Sequence, residues 1–157
     1  MKQPIMSECS CKAFDSNHSE FQHEARKIVS FKDKGRSEYR YNNQSANYLA
    51  KYRVDDGLIS NNDPKCDFLL LNCEQKKAFF IELKGSNIVR AIEQITRSMD
   101  DLQGNLGGFA VFARIVLTRD NTTKLNIGNK LLKLEQKVKA LNGDFIKASR
   151  GLLEETI

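Results

Sequence analysis

Three charged residues stand in stretches that are otherwise apolar: Asp67 opens the run CDFLLLN, and Glu82 and Lys84 close the run AFFIELKG. Buried strands exclude charge unless it is paired or used, because removing an ionised group from water is costly. Glu82 and Lys84 are two positions apart, so on an extended chain both side chains leave the same face. A short polar turn over residues 73–77 can bring Asp67 alongside them. Two carboxylates and an ammonium then converge. Carboxylates with open coordination positions suit a hard divalent cation such as magnesium, and a neighbouring lysine can orient or deprotonate an attacking water. That chemistry fits hydrolysis of a phosphodiester. The plain alternative makes Asp67 a turn former and leaves Glu82 and Lys84 as a local surface ion pair, which contributes little to stability.

The elements that must carry these residues follow from periodicity. Residues 47–55 place Tyr48, Ala50, Tyr52 and Val54 on one face and Leu49, Lys51, Arg53 and Asp55 on the other, the pattern of a half-buried strand. Asp55 and Asp56 before Gly57, and the run from Ser60 to Pro64, read as turns. Strands follow over about 66–72 and 78–84, and the near-continuous apolar content of the second marks a sheet centre. After Gly85 the period changes to that of a helix, with Ile88, Ile92, Ile95, Met99 and Leu102 on one stripe and Ser86 or Asn87 as N-cap. Gly104, Gly107 and Gly108 end it, and residues 109–118 read as another central strand. A second helix over 124–141 stops at Asn142-Gly143, and 145–149 supply a last strand. Upstream, residues 1–19 read as a flexible arm ahead of a single domain over 20–157. The stretch 21–31 fits either a short helix or an edge strand, 34–37 a turn, and 39–43 a short extended piece. The fold class is α/β, a mixed β-sheet core with flanking helices.

Composition narrows the field. With 157 residues, 40% of them hydrophobic and 29% charged, the chain has the size and content of one globular domain rather than a disordered or collagenous chain. No apolar run reaches the roughly 18 residues of a membrane span, and the N-terminus lacks the apolar stretch of a signal peptide. A soluble, cytoplasmic protein without a membrane partner is the expectation. The net charge of +5 is compatible with a polyanionic partner. In a reducing compartment Cys9, Cys11, Cys66 and Cys73 are expected as free thiols. Cys9, Cys11, His18 and His23 are four potential zinc ligands, but their spacing is not a usual structural-zinc pattern. A zinc-binding regulator is the reading they would support.

Asp67, followed fifteen positions on by Glu82-Leu83-Lys84, resembles the D…ExK signature of the PD-(D/E)xK nuclease superfamily, a likeness covering about residues 47–149. The order of three strands, helix and strand also resembles that family's core and implies a restriction-endonuclease-like fold. By that resemblance Asp67 and Glu82 would hold Mg²⁺ or Mn²⁺, and Lys84 would position or deprotonate the nucleophilic water. Gln94, ten residues after Lys84, resembles the glutamine carried by RecB-like and archaeal Holliday-junction-resolvase groups. Two positions depart from the pattern: Ser98 stands where RecB-like members often have Tyr, and Cys66 where Pro normally precedes the first acid. Many members add a Glu from an N-terminal helix. Glu20, Glu24 and Glu38 are candidates, with Glu24 taken as the third metal ligand. The resemblance implies a metal-dependent nuclease, acting on DNA in preference to RNA, often as a homodimer. The alternative is a non-catalytic or partner-dependent nucleic-acid-binding module of the same fold, such as an accessory subunit of a defence or repair system.

Substrate contacts are sought among basic residues. Arg90, Gln94 and Arg97 fall at i, i+4 and i+7 on the first helix. Arg36, Arg40, Lys51 and Arg53 form a second group near the first of the central strands. Arg90, Arg97, Lys51 and Arg53 are the expected nucleic-acid contacts. Lys130, Lys133 and Lys137 line one side of the second helix, more in the manner of a solvated face.

Overall fold

The computed structural model describes residues 13–32, 37–59, 61–119 and 124–157. In chain order the strands and long helices are β1 (Ser19–Glu24), β2 (Ile28–Lys32), β3 (Glu38–Asn42), β4 (Leu49–Arg53), β5 (Phe68–Asn72), β6 (Lys77–Lys84), α1 (Ile88–Leu102), β7 (Ala110–Leu117), α2 (Lys124–Ala140), β8 (Phe145–Ala148) and β9 (Leu152–Thr156). They form a mixed six-stranded sheet in the order β1-β4-β5-β6-β7-β8 and a smaller sheet in the order β2-β3-β9. The pairs β1–β4, β4–β5 and β5–β6 are antiparallel. The pairs β6–β7 and β7–β8 are parallel, and α1 and α2 supply the long crossovers that parallel neighbours need.

Strand alternation divides the core between the two faces of the large sheet. Ala78 and Phe80 of β6, with Leu69, Leu71, Ala113 and Ile115, meet the apolar stripe of α1. Phe79, Ile81 and Leu83, with Phe68, Leu70 and Val116, meet Val29, Phe31, Tyr39 and Tyr41 of the small sheet. A strand covered on both faces needs apolar residues at every position, which is why β5 and β6 read as continuous runs. The second layer also corrects the expectation for β4. It is buried on both faces, because the small sheet covers the side that carries Leu49 and Lys51.

Local chemistry sets the ends of the helices. Asn87 caps α1 by accepting the Arg90 N–H at 3.0 Å. At the end of α2, Asn142 takes a positive φ of 68° and Gly143 donates back to the Val138 carbonyl at 2.8 Å. Gly143 is obligatory there, since a Cβ would lie 1.8 Å from the Val111 carbonyl oxygen.

Other expectations change. Residues 21–31 are neither one helix nor one strand: β1 edges the large sheet and β2 the small one. The arm does not extend over 13–19, where Phe14 packs edge-on against Tyr52 at 5.3 Å and the Ala13 carbonyl accepts from Asn105 at 3.1 Å. The rest of the arm, the turn at 33–36 and Arg36 lie outside the described residues. Cys66 is a free, buried thiol, whereas Cys73 is disulfide-bonded, against the free-thiol expectation. Strand β9 had no counterpart in the sequence reading. Among the described residues, no helix is long and apolar enough to cross a membrane.

One buried cation fastens the sheets together. Arg114 of β7 is 2% exposed, and its Nε donates to Glu155 Oε1 of β9 at 2.7 Å. The Tyr39 hydroxyl donates to the same oxygen at 2.7 Å. The Arg114 Nη1 is met by the Ala113 and Asp144 carbonyls, each at 3.0 Å, and by the Asp144 carboxylate at 2.7 Å. The charge is matched and its donors are occupied, which a buried guanidinium requires.

Candidate active site

Asp67 immediately precedes β5, one step beyond the pairing of Phe68 with Ile81, and so faces the end of β6 where Glu82 and Lys84 lie. The junction is held from three sides. The Asp67 N–H donates to the Ile81 carbonyl at 3.1 Å, its carbonyl accepts from Val54 N–H at 3.0 Å, and its Oδ2 accepts from Leu83 N–H at 2.9 Å. Helix α1 secures the residues just before it. The Ser98 hydroxyl accepts the Cys66 N–H at 2.8 Å, and Gln94 Nε2 donates to the Lys65 carbonyl at 2.9 Å. Asp67, Glu82 and Lys84 are thus brought together at the strand ends, and Gln94 of α1 is tied to the backbone two residues before Asp67.

The electrostatics of this group are set by burial. Glu82 is 1% exposed, and desolvation, reinforced by the negative charge of Asp67, pushes its carboxyl up from 4.5 to about 9. Lys84 Nζ lies 3.4 Å from Glu82 Oε2 and pulls in the opposite direction without prevailing. The Cys66 thiol is raised by burial first and by Glu82 second. Among the described residues, Glu82 Oε1 and Gln94 Oε1 are buried acceptors with no hydrogen-bond partner. Two buried acceptors without donors, one of them on Glu82 itself, are lone pairs that a cation could satisfy.

A hard cation fits that deficit. The available groups are all oxygen: the carboxylates of Asp67 and Glu82 and the side-chain carbonyl of Gln94. No three His, Cys, Asp or Glu side chains gather as a metal cage among the described residues. Mg²⁺ does not need one, since it is commonly bound by one or two carboxylates, with waters and substrate phosphates completing the shell.

Glu24 does not join this group. It ends β1, opposite Leu49, and the ladder runs on from Leu49 to Asn72, at the far end of β5 from Asp67. Its carboxylate pairs with Arg26 at 2.8 Å. An edge strand, one of the two forms open to this stretch from sequence, places it there. Glu20 pairs with Lys51 at 2.7 Å, and Glu38 with Arg40 at 3.1 Å. Of the zinc quartet, Cys9 and Cys11 lie outside the described residues, and His23 stacks on Tyr48 at 4.1 Å.

The expected substrate contacts are largely committed within the chain. Lys51 is buried, donates to the Ser30 carbonyl at 2.8 Å and lies 4.5 Å from the Phe31 ring centroid. It is an internal residue. Arg97 bonds Asp63 at 2.7 Å and pairs with Asp101 at 3.5 Å. Lys130 joins Glu93 at 2.8 Å, and Lys137 joins Asp100, so the lysine stripe ties α2 to α1. Arg90 sits 3.9 Å from Glu93, and Arg53 lies over Phe68 at 5.9 Å; both remain exposed.

Ser98 was not anticipated as part of the site. It entered the sequence reading only as a departure from a tyrosine, yet it holds the backbone that delivers Asp67. Its spacing of i+4 from Gln94 is the signal that could have placed it on the same helix face. Comparison with known protein families, with curated proteins and with solved structures finds no match for this chain.

Proposed function

We propose that this chain is a metal-dependent nuclease that hydrolyses phosphodiester bonds of nucleic acid, with DNA favoured over RNA, on a restriction-endonuclease-like fold. One observation carries the reading. Asp67, Glu82 and Lys84 meet at one sheet end, and Glu82 keeps a buried oxygen without a partner among the described residues. Asp67 and Glu82, with the Gln94 carbonyl, would hold Mg²⁺ or Mn²⁺. The bound ion supplies charge neutralisation at the phosphate and acidifies a water. Lys84, 26% exposed and therefore reachable from solvent, positions that water and holds or passes its proton. Burial of Glu82 keeps the site dry enough for these charges to act strongly.

The test is cleavage of labelled linear and supercoiled duplex, single-stranded and branched DNA, and RNA, with Mg²⁺ or Mn²⁺. Metal-dependent cleavage that is lost in folded Glu82→Ala and Lys84→Ala supports the reading. Cleavage unaffected by either substitution refutes the site.

A second reading is favoured by the internal pairing of Lys51, Arg97, Lys130 and Lys137. With these cations committed, the isolated chain has less positive surface for a nucleic-acid backbone than its composition suggests. A partner protein or a second copy would then supply the missing contacts, and cleavage would appear only in its presence.

A further inference from the structure

Beyond the catalytic group, the carboxyl ends of β6 and β7 open into a cleft of about 500 Å³ lined by Gly85, Ser86, Thr118, Arg119, Arg150 and Gly151. We propose that this cleft is a phosphate subsite in which Arg119 and Arg150 grip a backbone phosphate of the nucleic acid, next to the phosphate being cut. The inference rests on the nuclease reading for the word "next" and on the cleft itself for the ligand class.

Four observations carry it. The cleft begins at the residue after Lys84, so it adjoins the end of β6 that carries Glu82 and Lys84. Among the described residues its lining includes two arginines and no carboxylate, and neither arginine takes part in an ion pair, unlike Arg97, Lys51 and Lys130. Arginine presents a planar fork of donors suited to phosphate oxygens. Finally, the walls are rigid. The Gly85 carbonyl accepts from Thr118 N–H at 2.9 Å, Thr118 Oγ1 at 2.7 Å and Arg119 N–H at 3.1 Å.

The opposite wall is equally fixed. Gly151 N–H donates to the Leu117 carbonyl at 2.7 Å, its carbonyl accepts from Glu38 N–H at 2.8 Å, and Ser37 Oγ donates to the Lys84 carbonyl at 3.0 Å. The turn that carries Arg150 is therefore tied both to the large sheet and to the small one. Gly151 itself adopts a φ of 80°, which L residues rarely take, and this lets the chain turn sharply after Arg150. The two arginines come from the ends of different strands and are set by backbone bonds, so the cleft exists before any ligand arrives.

The experiment is fluorescence-anisotropy binding of a labelled duplex oligonucleotide in EDTA, where no cleavage occurs, across a salt series. Wild type is compared with Arg119→Gln, Arg150→Gln and the double variant, with exposed Lys139→Gln as control and inorganic phosphate at matched ionic strength as competitor. Each arginine substitution is expected to weaken binding roughly tenfold. Each should also reduce the slope of log K against log salt by about one. Lys139→Gln is expected to bind as wild type does. Thermal melting checks that the variants fold, which their exposed positions favour.

Equal affinity and equal salt slope in wild type and the double variant would overturn the subsite, as would an absence of duplex binding by wild type. Binding through the arginines by a wild-type protein that never cleaves with metal would leave the subsite standing and remove the nuclease reading. Cleavage by wild type, matched by the double variant, would do the reverse.

Discussion

Glu82→Gln is expected to stabilise the metal-free protein, although it removes a residue central to the site. The amide has nearly the shape of the carboxyl but cannot ionise. In the folded chain the Glu82 carboxyl is pushed up to about 9, and in the unfolded chain it returns to 4.5. A raised acid binds its proton more tightly when folded, so the contribution of Glu82 to stability is greatest below pH 4.5, falls as pH rises toward 9, and levels off above that. At 1.36 kcal/mol per pH unit the loss reaches about 3 kcal/mol at pH 7 and about 6 kcal/mol at pH 9. The amide variant escapes this loss. Urea unfolding in EDTA should therefore show nearly equal midpoints at pH 4.5 and a widening advantage for Glu82→Gln at pH 7 and pH 9. At pH 7 the difference corresponds to a melting temperature raised by about 6–12 °C. Added Mn²⁺ should reverse the order, because it stabilises a folded state that binds it by RT ln(1 + [L]/Kd) and the variant binds it poorly. A variant no more stable than wild type at pH 7, or a gap that does not change with pH, would refute the account of Glu82 as a buried carboxylate awaiting a cation.

Two further outcomes follow from the packing. Glu155→Gln removes the more buried of the two counter-charges of a guanidinium that is 2% exposed and weakens the acceptor of Tyr39; unfolding by urea should show a loss of about 2–3 kcal/mol. Ser98→Ala leaves the Cys66 N–H buried without its acceptor and should cost about 1–3 kcal/mol. It should also reduce any metal-dependent cleavage more than it alters duplex binding in EDTA, since it loosens Asp67 and touches neither arginine of the cleft.

The parts legible in the sequence were those whose cause is local. A strand buried on both faces is apolar at every position, so β5, β6 and β7 declared themselves, and Asp67 and Glu82 stood out against that background as charges needing a reason. The stripe of α1 and its Asn87 cap were equally plain. What could not be read depended on partners distant in the chain. Val29 and Phe31 alternate with Ser30 and Lys32 over only five residues, too short to separate an edge strand from a helical turn. In β9 the inward Glu155 looks like a surface residue until Arg114 is placed beside it. Lys51 and Arg97 read as substrate contacts from sequence because Glu20 and Asp63, which occupy them, come from other elements. Glu24 was misplaced for the same reason: its position is decided by the pairing of β1 with β4.

The parallel pairing of β3 with β9 sets an order of events during synthesis. The β2–β3 hairpin leaves the ribosome early, but its neighbour Leu152–Thr156 is made only after both helices and the whole large sheet. Until then Arg114 lacks Glu155, and the backbone of Glu38 lacks the Gly151 carbonyl. Pairings so distant along the chain are slow to close and leave strand edges open while they wait. Strand β9, made after the strands of the large sheet, thus seals the small sheet, and the turn before it is tied to Leu117, the residue paired with Lys84.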